Sequence, residues 1–279
     1  MMDKFTMVLY NRLPAWAAET LIANRRGRDV LRRMVRGRDV IMRMGLGSGL
    51  WFNCSLSNPD YAFGNNELAV QEAFRSHLRP GDVLFDIGAN VGFFTIISVQ
   101  LVGSEGHVYA FEPVPDNAAA VRHNLELNSF TNATVINSAV ADRSGQGELL
   151  VAHYSGGSAL STVKTPPPDL KERMPVETVS IDVLLAEGAM RPPDMVKIDV
   201  EGAELTVLQG MVETIRQHRP VILYEIDDEE AAEFERKSLI CSQFLDDFGY
   251  QVVPLAESYP NIGWYVGHFL ATYAKVPGI

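Results

Sequence analysis

Through the middle of the chain, short apolar runs alternate with segments whose apolar residues recur at helical spacing. Val83–Ile87, His107–Phe111, Ala133–Asn137, Met195–Val200 and Pro220–Ile226 read as buried strands. Phe93–Leu101, Val114–Asn128, Ala203–His218 and Glu229–Phe248 read as helices, with Asn66–Leu78 a helix ahead of the first strand. Parallel strands covered on both faces give near-continuous apolar runs, and each needs a crossover, usually helical. The pattern therefore predicts a doubly wound, mostly parallel α/β sheet. Tyr250–Pro254 and His268–Ala274 close it as strands. Glu148–Ala152 and Val176–Ile181 read as additional strands, and Asp182–Glu187 as a helical turn. Tyr154–Pro175, rich in Gly, Ser, Thr and Pro, reads as a long loop of the kind that often forms substrate sites.

Residues 1 to about 45 read as helical, with Phe5, Val8, Leu9 and Leu13 at helical spacing. They contain an imperfect repeat, GRDVLRRMVR from Gly27 and GRDVIMRM from Gly37. Val30, Leu31, Met34 and Val35 can share one face, with Arg28, Arg32, Arg33 and Arg36 mostly elsewhere. Such a segment can lie on an anionic membrane or contact a partner subunit. The plainer reading, a helix packed on the main domain with solvated arginines, is favoured because the segment is short and holds two glycines. Gly45–Asn66 reads as an irregular entry with short strands. This gives a basic helical extension over residues 1–60 and a main domain over 61–279.

The most informative stretch is GDVLFDIGANVG, Gly81 to Gly92. Strand, glycine turn and helix make the first unit of a doubly wound sheet, and ligands bind beyond the carboxyl ends of its strands. Gly88 lets the backbone turn tightly, and Gly92 lets the helix start close to a ligand. Asn90 stands where a dinucleotide fingerprint has its middle glycine, and asparagine tolerates left-handed geometry. Asp86 ends the strand. Glu112 ends the next one, at the spacing of an acid that accepts hydrogen bonds from ribose hydroxyls. The plainer readings are a β-to-α turn without a ligand and a solvated strand-end carboxylate.

Composition narrows the class. Cys54 and Cys241 have no motif spacing, which argues against a disulfide scaffold or a zinc site and for a reducing, cytoplasmic setting. No secretory signal and no apolar run long enough to span a bilayer is visible. The net charge of −11 hides a division: residues 1–50 carry +6, leaving −17 on the rest. A nucleic-acid enzyme usually places a basic face around its site, so a nucleic-acid partner is not expected.

The combination of DIGANVG at 86–92, FEPVPDN at 111–117, KIDVEGAE at 197–204 and YEI at 224–226 resembles the FkbM family of S-adenosylmethionine-dependent methyltransferases. The resemblance covers about residues 64–250, and KIDVEGAE following VSIDVLL is its most specific part. It implies a class I methyltransferase (Rossmann-like) fold whose last strand is antiparallel. It also implies bound S-adenosylmethionine and methyl transfer, usually to a hydroxyl oxygen. Asp86, Gly88, Ala89, Asn90 and Gly92 would then shape the methionine end of the cofactor site. Glu112 would hold the ribose and Pro113 orient its loop. Ser138, Ala139 and Asp142 would border the adenine. Glu67 matches an acidic family position ahead of the glycine turn.

Asp199 and Glu201 lie two apart at one strand end, and Glu225 ends the next strand, so three carboxylates can converge. One use is an oxygen-rich site for Mg²⁺, with Asp199 and Glu225 as ligands. The other, favoured for want of a further ligand, is a base, Asp199 before Glu201, with Glu225 orienting acceptor hydroxyls. The plainer reading of Glu201 and Glu204 is helix N-terminal charge, and it is preferred for Glu204. Lys197 points away from Ile198 and can pair with a buried carboxylate. The histidines, among them His153 beside the long loop and His268, form no metal-ligand pair. Tyr154, Trp264 and Tyr265 could stack on a sugar, though ordinary packing is the commoner role. The expected acceptor is a sugar, glycan or natural-product hydroxyl. Competing readings are an NAD-dependent oxidoreductase, against which the broken fingerprint and missing Tyr-x-x-x-Lys pair argue, and a non-catalytic scaffold. Oligomeric state stays open.

Overall fold

The computed structural model describes residues 10–152, 158–161, 170–259 and 263–274. Phe5, Val8, Leu9, His153 and Tyr154, and most of the expected loop, lie outside the described residues. The chain opens with helices α1 (Ala15–Ala23) and α2 (Arg25–Val35), short strands β1 (Val40–Ile41) and β2 (Trp51–Phe52), a 3₁₀ turn (Pro59–Phe63) and α3 (Leu68–His77). The sheet unit follows: β3 (Val83–Ile87), α4 (Phe93–Val102), β4 (His107–Phe111), α5 (Pro115–Leu127) and β5 (Ala133–Ile136). An insertion then gives β6 (Ala139–Val140), β7 (Gly145–Ala152), β8 (Ala159–Leu160) and β9 (Leu170–Val179). The chain returns through α6 (Ile181–Ala186), β10 (Met195–Ile198), α7 (Glu204–Gln209), α8 (Val212–His218) and β11 (Val221–Asp228). It closes with α9 (Ala231–Asp246), β12 (Tyr250–Pro254) and β13 (Tyr265–Tyr273).

The main sheet runs β12-β13-β11-β10-β3-β4-β5. β11, β10, β3, β4 and β5 pair in parallel, while β13 is antiparallel to both its neighbours. This is the class I methyltransferase order, with its reversed strand where the sequence placed it. The order reverses between β3 and β10, and that switch point opens a ligand crevice. β3 is buried along its whole length, as its apolar run requires.

Alternation along the strands sorts side chains into two cores. Val196, Ile198, Tyr224 and Ile226 pack on the face covered by α7, α8 and α9. Met195 and Leu223 pack on the other face with α3, α4 and the N-terminal segment. That segment shares one apolar cluster with the main domain through Tyr10, Leu31, Val35 and Phe52, and Arg32 pairs with Asp60 at 2.7 Å. The favoured packing reading therefore holds for Leu31 and Val35, whereas Val30 is exposed and the second copy of the repeat, from Gly37, lies outside the helix. No helix among the described residues is long and apolar enough to cross a membrane.

Three expectations need correction. The helical reading to about residue 45 fails beyond Val35, where α2 ends and Val40–Ile41 pairs as a strand with Trp51–Phe52. The segment Tyr154–Pro175 is not loop throughout, because residues 170–175 extend β9, paired antiparallel with β7. The helix expected over Ala203–His218 is two helices, broken at Gly210. A side chain there would place Cβ 2.0 Å from the Ala141 carbonyl oxygen, so the chain bends where the insertion presses on it. The insertion forms a second sheet, β6-β9-β7-β8. Its apolar side packs on Val114, Val200 and Ala203, beside the strand ends that carry Glu112 and Glu201.

Candidate active site at the sheet switch point

The glycine turn is held by geometry that only these residues supply. Gly88 has φ +82°, and a Cβ on it would lie 1.7 Å from the carbonyl oxygen of Asp199. The β3 and β10 ends thus approach too closely for any side chain. Asn90 is left-handed at φ 50°, and Gly92 caps α4 at φ 85°. Behind the turn, Asn124 donates to the carbonyls of Val91 (2.8 Å) and Asn53 (3.0 Å), tying the turn to the N-terminal segment. Ala89 is buried beside it.

Glu112 is 5% exposed, and its two oxygens accept from the backbone N–H of Asn90 (2.8 Å) and Val114 (2.9 Å). Burial outweighs these donors and pushes its carboxyl up to about 7. Asn137, which sequence reasoning passed over, donates to the carbonyls of Glu112 (2.7 Å) and Pro113 (3.0 Å) and fixes this loop. Ser138 and Ala139 are buried just beyond it. Asp142, just after β6, is exposed and lies against Gly210.

The second cluster lies on the α4 face of β3, β10, β11 and β13. Lys197 sits opposite Asp86 in the parallel register, 3% exposed, with its ammonium over the Phe94 ring. Its Nζ is 3.1 Å from Asp199 Oδ2 and 3.7 Å from Asp86 Oδ1. Burial disfavours the charge, but Asp199, Asp86 and Glu67 more than restore it, so Lys197 stays cationic. It pairs with carboxylates, as expected, and holds Asp199 in place. Asp86 also accepts from Thr95 Oγ1 at 2.6 Å, and burial raises its pKa nonetheless.

Next to it stands a triad that the sequence did not reveal. Antiparallel pairing sets His268 opposite Glu225. His268 Nε2 is 2.6 Å from Glu225 Oε2 and 3.3 Å from Glu67 Oε2. Glu67, expected on the cofactor side, is therefore placed with Glu225, carried there by a left-handed backbone at φ 46° just before α3. Its other oxygen accepts from Tyr259 Oη and from Asn66 Nδ2, the latter at 2.7 Å. Burial opposes charge on His268, but the two carboxylates prevail and push it up to about 10. Glu67, with its additional donors, keeps its charge below the ordinary range, whereas burial and the Asp199 charge push Glu225 up to about 8.

On the opposite side of the strand ends, Glu201 is held at φ 54°. Burial and the charges of Asp227, Asp199 and Glu225 raise its pKa well above normal, and its carboxyl is hydrogen-bonded with Asp227. Asp227 also accepts from Trp264 Nε1 at 2.9 Å, which assigns that indole a fixed polar role. Tyr265 is half exposed near Phe234. Glu204, at the first position of α7, is buried and accepts from Gly202 N–H, just ahead of the helix, at 2.8 Å. Of the sequence-predicted carboxylates, Asp199, Glu201 and Glu225 do converge. Asp199 is not one of the three donors that close on a common point, because one of its oxygens is taken by Lys197.

A model of the methyltransferase FkbM domain matches residues 86–252, more than half of the chain. The 31-O-demethyl-FK506 methyltransferase FkbM of Streptomyces tacrolimicus is 29% identical over 56% of this chain and 69% of its own length. The hexuronic acid methyltransferase AglP of Haloferax volcanii is 31% identical over 51% of this chain and 55% of its own, so the match spans about half of that relative. The 2-O-methyltransferase NoeI of Sinorhizobium fredii is 28% identical over 56% of this chain and 67% of its own. A crystal structure of methyltransferase FkbM from Methylobacillus flagellatus KT overlays on 76% of this chain and 52% of that one, at 16% identity and a TM-score of 0.48. The chain belongs to the FkbM methyltransferase family and is an S-adenosylmethionine-dependent methyltransferase.

Proposed function

We propose that the chain transfers a methyl group from S-adenosylmethionine to a hydroxyl oxygen of a sugar-like acceptor. The observation that carries this is the set of acceptor-rich carboxylates, Asp199, Glu201 and Glu225, at strand ends directly beside the glycine turn. Carboxylates are suited to receive hydroxyl protons and to orient a polyol. The names of the FK506, hexuronic acid and 2-O-methyltransferase relatives point to the same chemistry.

The residues present fit the cofactor. Asp86 Oδ1 and Asn90 Oδ1 are buried without hydrogen-bond partners, which leaves acceptors beneath the glycine turn for an ammonium group. Glu112 accepts from Asn90, Val114 and Asn117, which leaves a lone pair for a ribose hydroxyl. Bound there, the cofactor would supply an activated methyl group on its sulfonium. The chain supplies position and a proton acceptor. Positioning is worth up to ~7 kcal/mol or more in favourable systems, and a general base ~10²–10⁴-fold. Asp199 has Oδ2 fixed by Lys197, and its side chain is 27% exposed. It takes the hydroxyl proton while Glu225 and Glu201 orient neighbouring hydroxyls.

Calorimetric titration with S-adenosylmethionine and with NAD⁺, repeated on D86A and E112A, tests the cofactor half. Saturable binding of S-adenosylmethionine alone, weakened in both variants, is the expected result; NAD⁺ binding alone overturns it. Transfer of labelled methyl to a panel of sugars, lost in D199N with cofactor binding intact, tests the rest. Methyl transfer that survives D199N removes Asp199 as the base.

A further inference from the structure

We propose that Glu67, Glu225 and His268 form a binding site for a divalent first-row transition ion such as Zn²⁺ or Mn²⁺ on the acceptor side of the cleft. Their donor atoms all lie within 4.8 Å of one another. They come from three separate parts of the fold, the residue before α3, β11 and β13, and converge on one point. Glu67 and His268 are 7% and 4% exposed. Yet His268 Nε2 and Glu67 Oε2 are buried without a hydrogen-bond partner. The imidazole nitrogen is close to both carboxylates but aligned for a hydrogen bond with neither. Two carboxylate oxygens and an imidazole nitrogen facing a shared point are a donor set of the kind that holds a transition ion.

The surrounding atoms agree. Metal-ligating groups are oriented by outer hydrogen bonds. Here Ser258 Oγ lies 3.5 Å from His268 Nδ1, which directs Nε2 inward, and Asn66 and Tyr259 occupy Glu67 Oε1, leaving Oε2 free. Zinc bonds of ~2.1 Å at tetrahedral angles put donor atoms about 3.4 Å apart. The Glu67–His268 distance of 3.3 Å already matches, and Glu225, at 2.6 Å, has to retract by under an ångström. An imidazole in the set favours a transition ion over Mg²⁺, which prefers all-oxygen ligands. This differs from the Asp199–Glu225 pair expected from sequence, because Lys197 serves Asp199. Three protein ligands leave a position open at the partly exposed Glu225 edge. If the hydroxyl-methylation reading holds, an acceptor oxygen fills that position.

The test uses the full chain after chelator treatment. Co²⁺ and Zn²⁺ are titrated at pH 8, where each bound ion displaces a proton from His268. Cobalt is followed by its visible d–d absorption and zinc by equilibrium dialysis. One equivalent is expected, with at least the ~10–100-fold loss of affinity that even outer-shell changes cause in E67Q, E225Q and H268Q. S-adenosylmethionine binding in each variant reports that the fold and the cofactor site persist, so failure of the methyl-transfer reading shows separately. Absence of saturable metal binding to the wild-type chain overturns the site. So does binding that all three variants retain.

Discussion

Replacing Gly88 by alanine isolates what the switch-point seam requires. Two penalties act. A non-glycine residue in left-handed geometry costs about 1–2 kcal/mol. The added Cβ would also sit 1.7 Å from the Asp199 carbonyl oxygen, where ordinary contact begins near 3.4 Å, so β3 and β10 must part by at least about 1.5 Å. Forcing such a separation costs about 1–3 kcal/mol or more. The total is about 2–5 kcal/mol, a large share of the ~5–15 kcal/mol that holds a typical domain together. Gly81 supplies the control: its φ of +97° is equally left-handed, but nothing lies within 4 Å of its Cβ position. G81A therefore carries the backbone penalty alone. Equilibrium urea denaturation should place G88A about 1–3 kcal/mol below G81A, and calorimetry should show S-adenosylmethionine binding lost only in G88A. Equal unfolding midpoints for the two variants would refute the close-approach argument.

Other perturbations read other parts of the site. Glu112, pushed up to about 7, should make S-adenosylmethionine affinity rise by up to ~10-fold per pH unit below that value and level off above it, and E112Q should abolish the dependence. Glu112 and Glu204 both have folded pKa values raised above their unfolded ones, so their contribution favours folding below about 4.5 and is lost as pH climbs through about 7. The thermal midpoint of the cofactor-free chain should fall across that window. K197M leaves Asp86 and Asp199 without their buried cation and should destabilise by about 3–5 kcal/mol in urea denaturation. Its loss should shrink at low pH, as Asp86, whose pKa burial raises, takes up a proton; a loss that is flat with pH would mean that packing over Phe94, not charge, is what Lys197 supplies.

Legibility tracked how local the determining physics is. The run Val83–Ile87, its glycines and Glu112 were readable because a doubly buried strand writes a continuous apolar run and the turn writes its own glycines. The β9 residues 170–175 were not, because LKERMP puts three charged residues in a row, ends in proline and pairs only with β7. The break at Gly210 depends on Ala141, distant in sequence. His268 is the instructive case. It is one residue of an unremarkable closing strand, and only the antiparallel register with β11 puts it opposite Glu225. That register depends on how the chain turns between β12 and β13, which neither periodicity nor spacing specifies. Glu67 was singled out by resemblance, but its place in the triad follows from one left-handed residue and the docking of α3.

Charge bookkeeping at the mouth leads to a statement about the acceptor. Even with Asp86, Glu201 and Glu225 protonated, the carboxylates of Glu67, Asp199 and Asp227 face two cations, Lys197 and His268. At least one negative charge is left over, and a sulfonium would balance it. A neutral polyol enters without disturbing this balance. An acceptor that carries its own carboxylate adds an uncompensated charge; one such repulsion at about 8 Å with an effective dielectric near 20 costs about 2 kcal/mol, or roughly 30-fold. In chelator-treated protein, a neutral hexose should therefore be methylated with a kcat/KM roughly 30-fold above that of its uronic acid. Because the groups are largely buried, salt should narrow the gap only partly. Adding the transition ion at Glu67, Glu225 and His268 leaves this count unchanged, because its two charges replace the protons of His268 and Glu225, so the gap should persist. Equal turnover of the two acceptors without metal would mean that another cation reaches the acceptor, and the acidic mouth would then not select for charge.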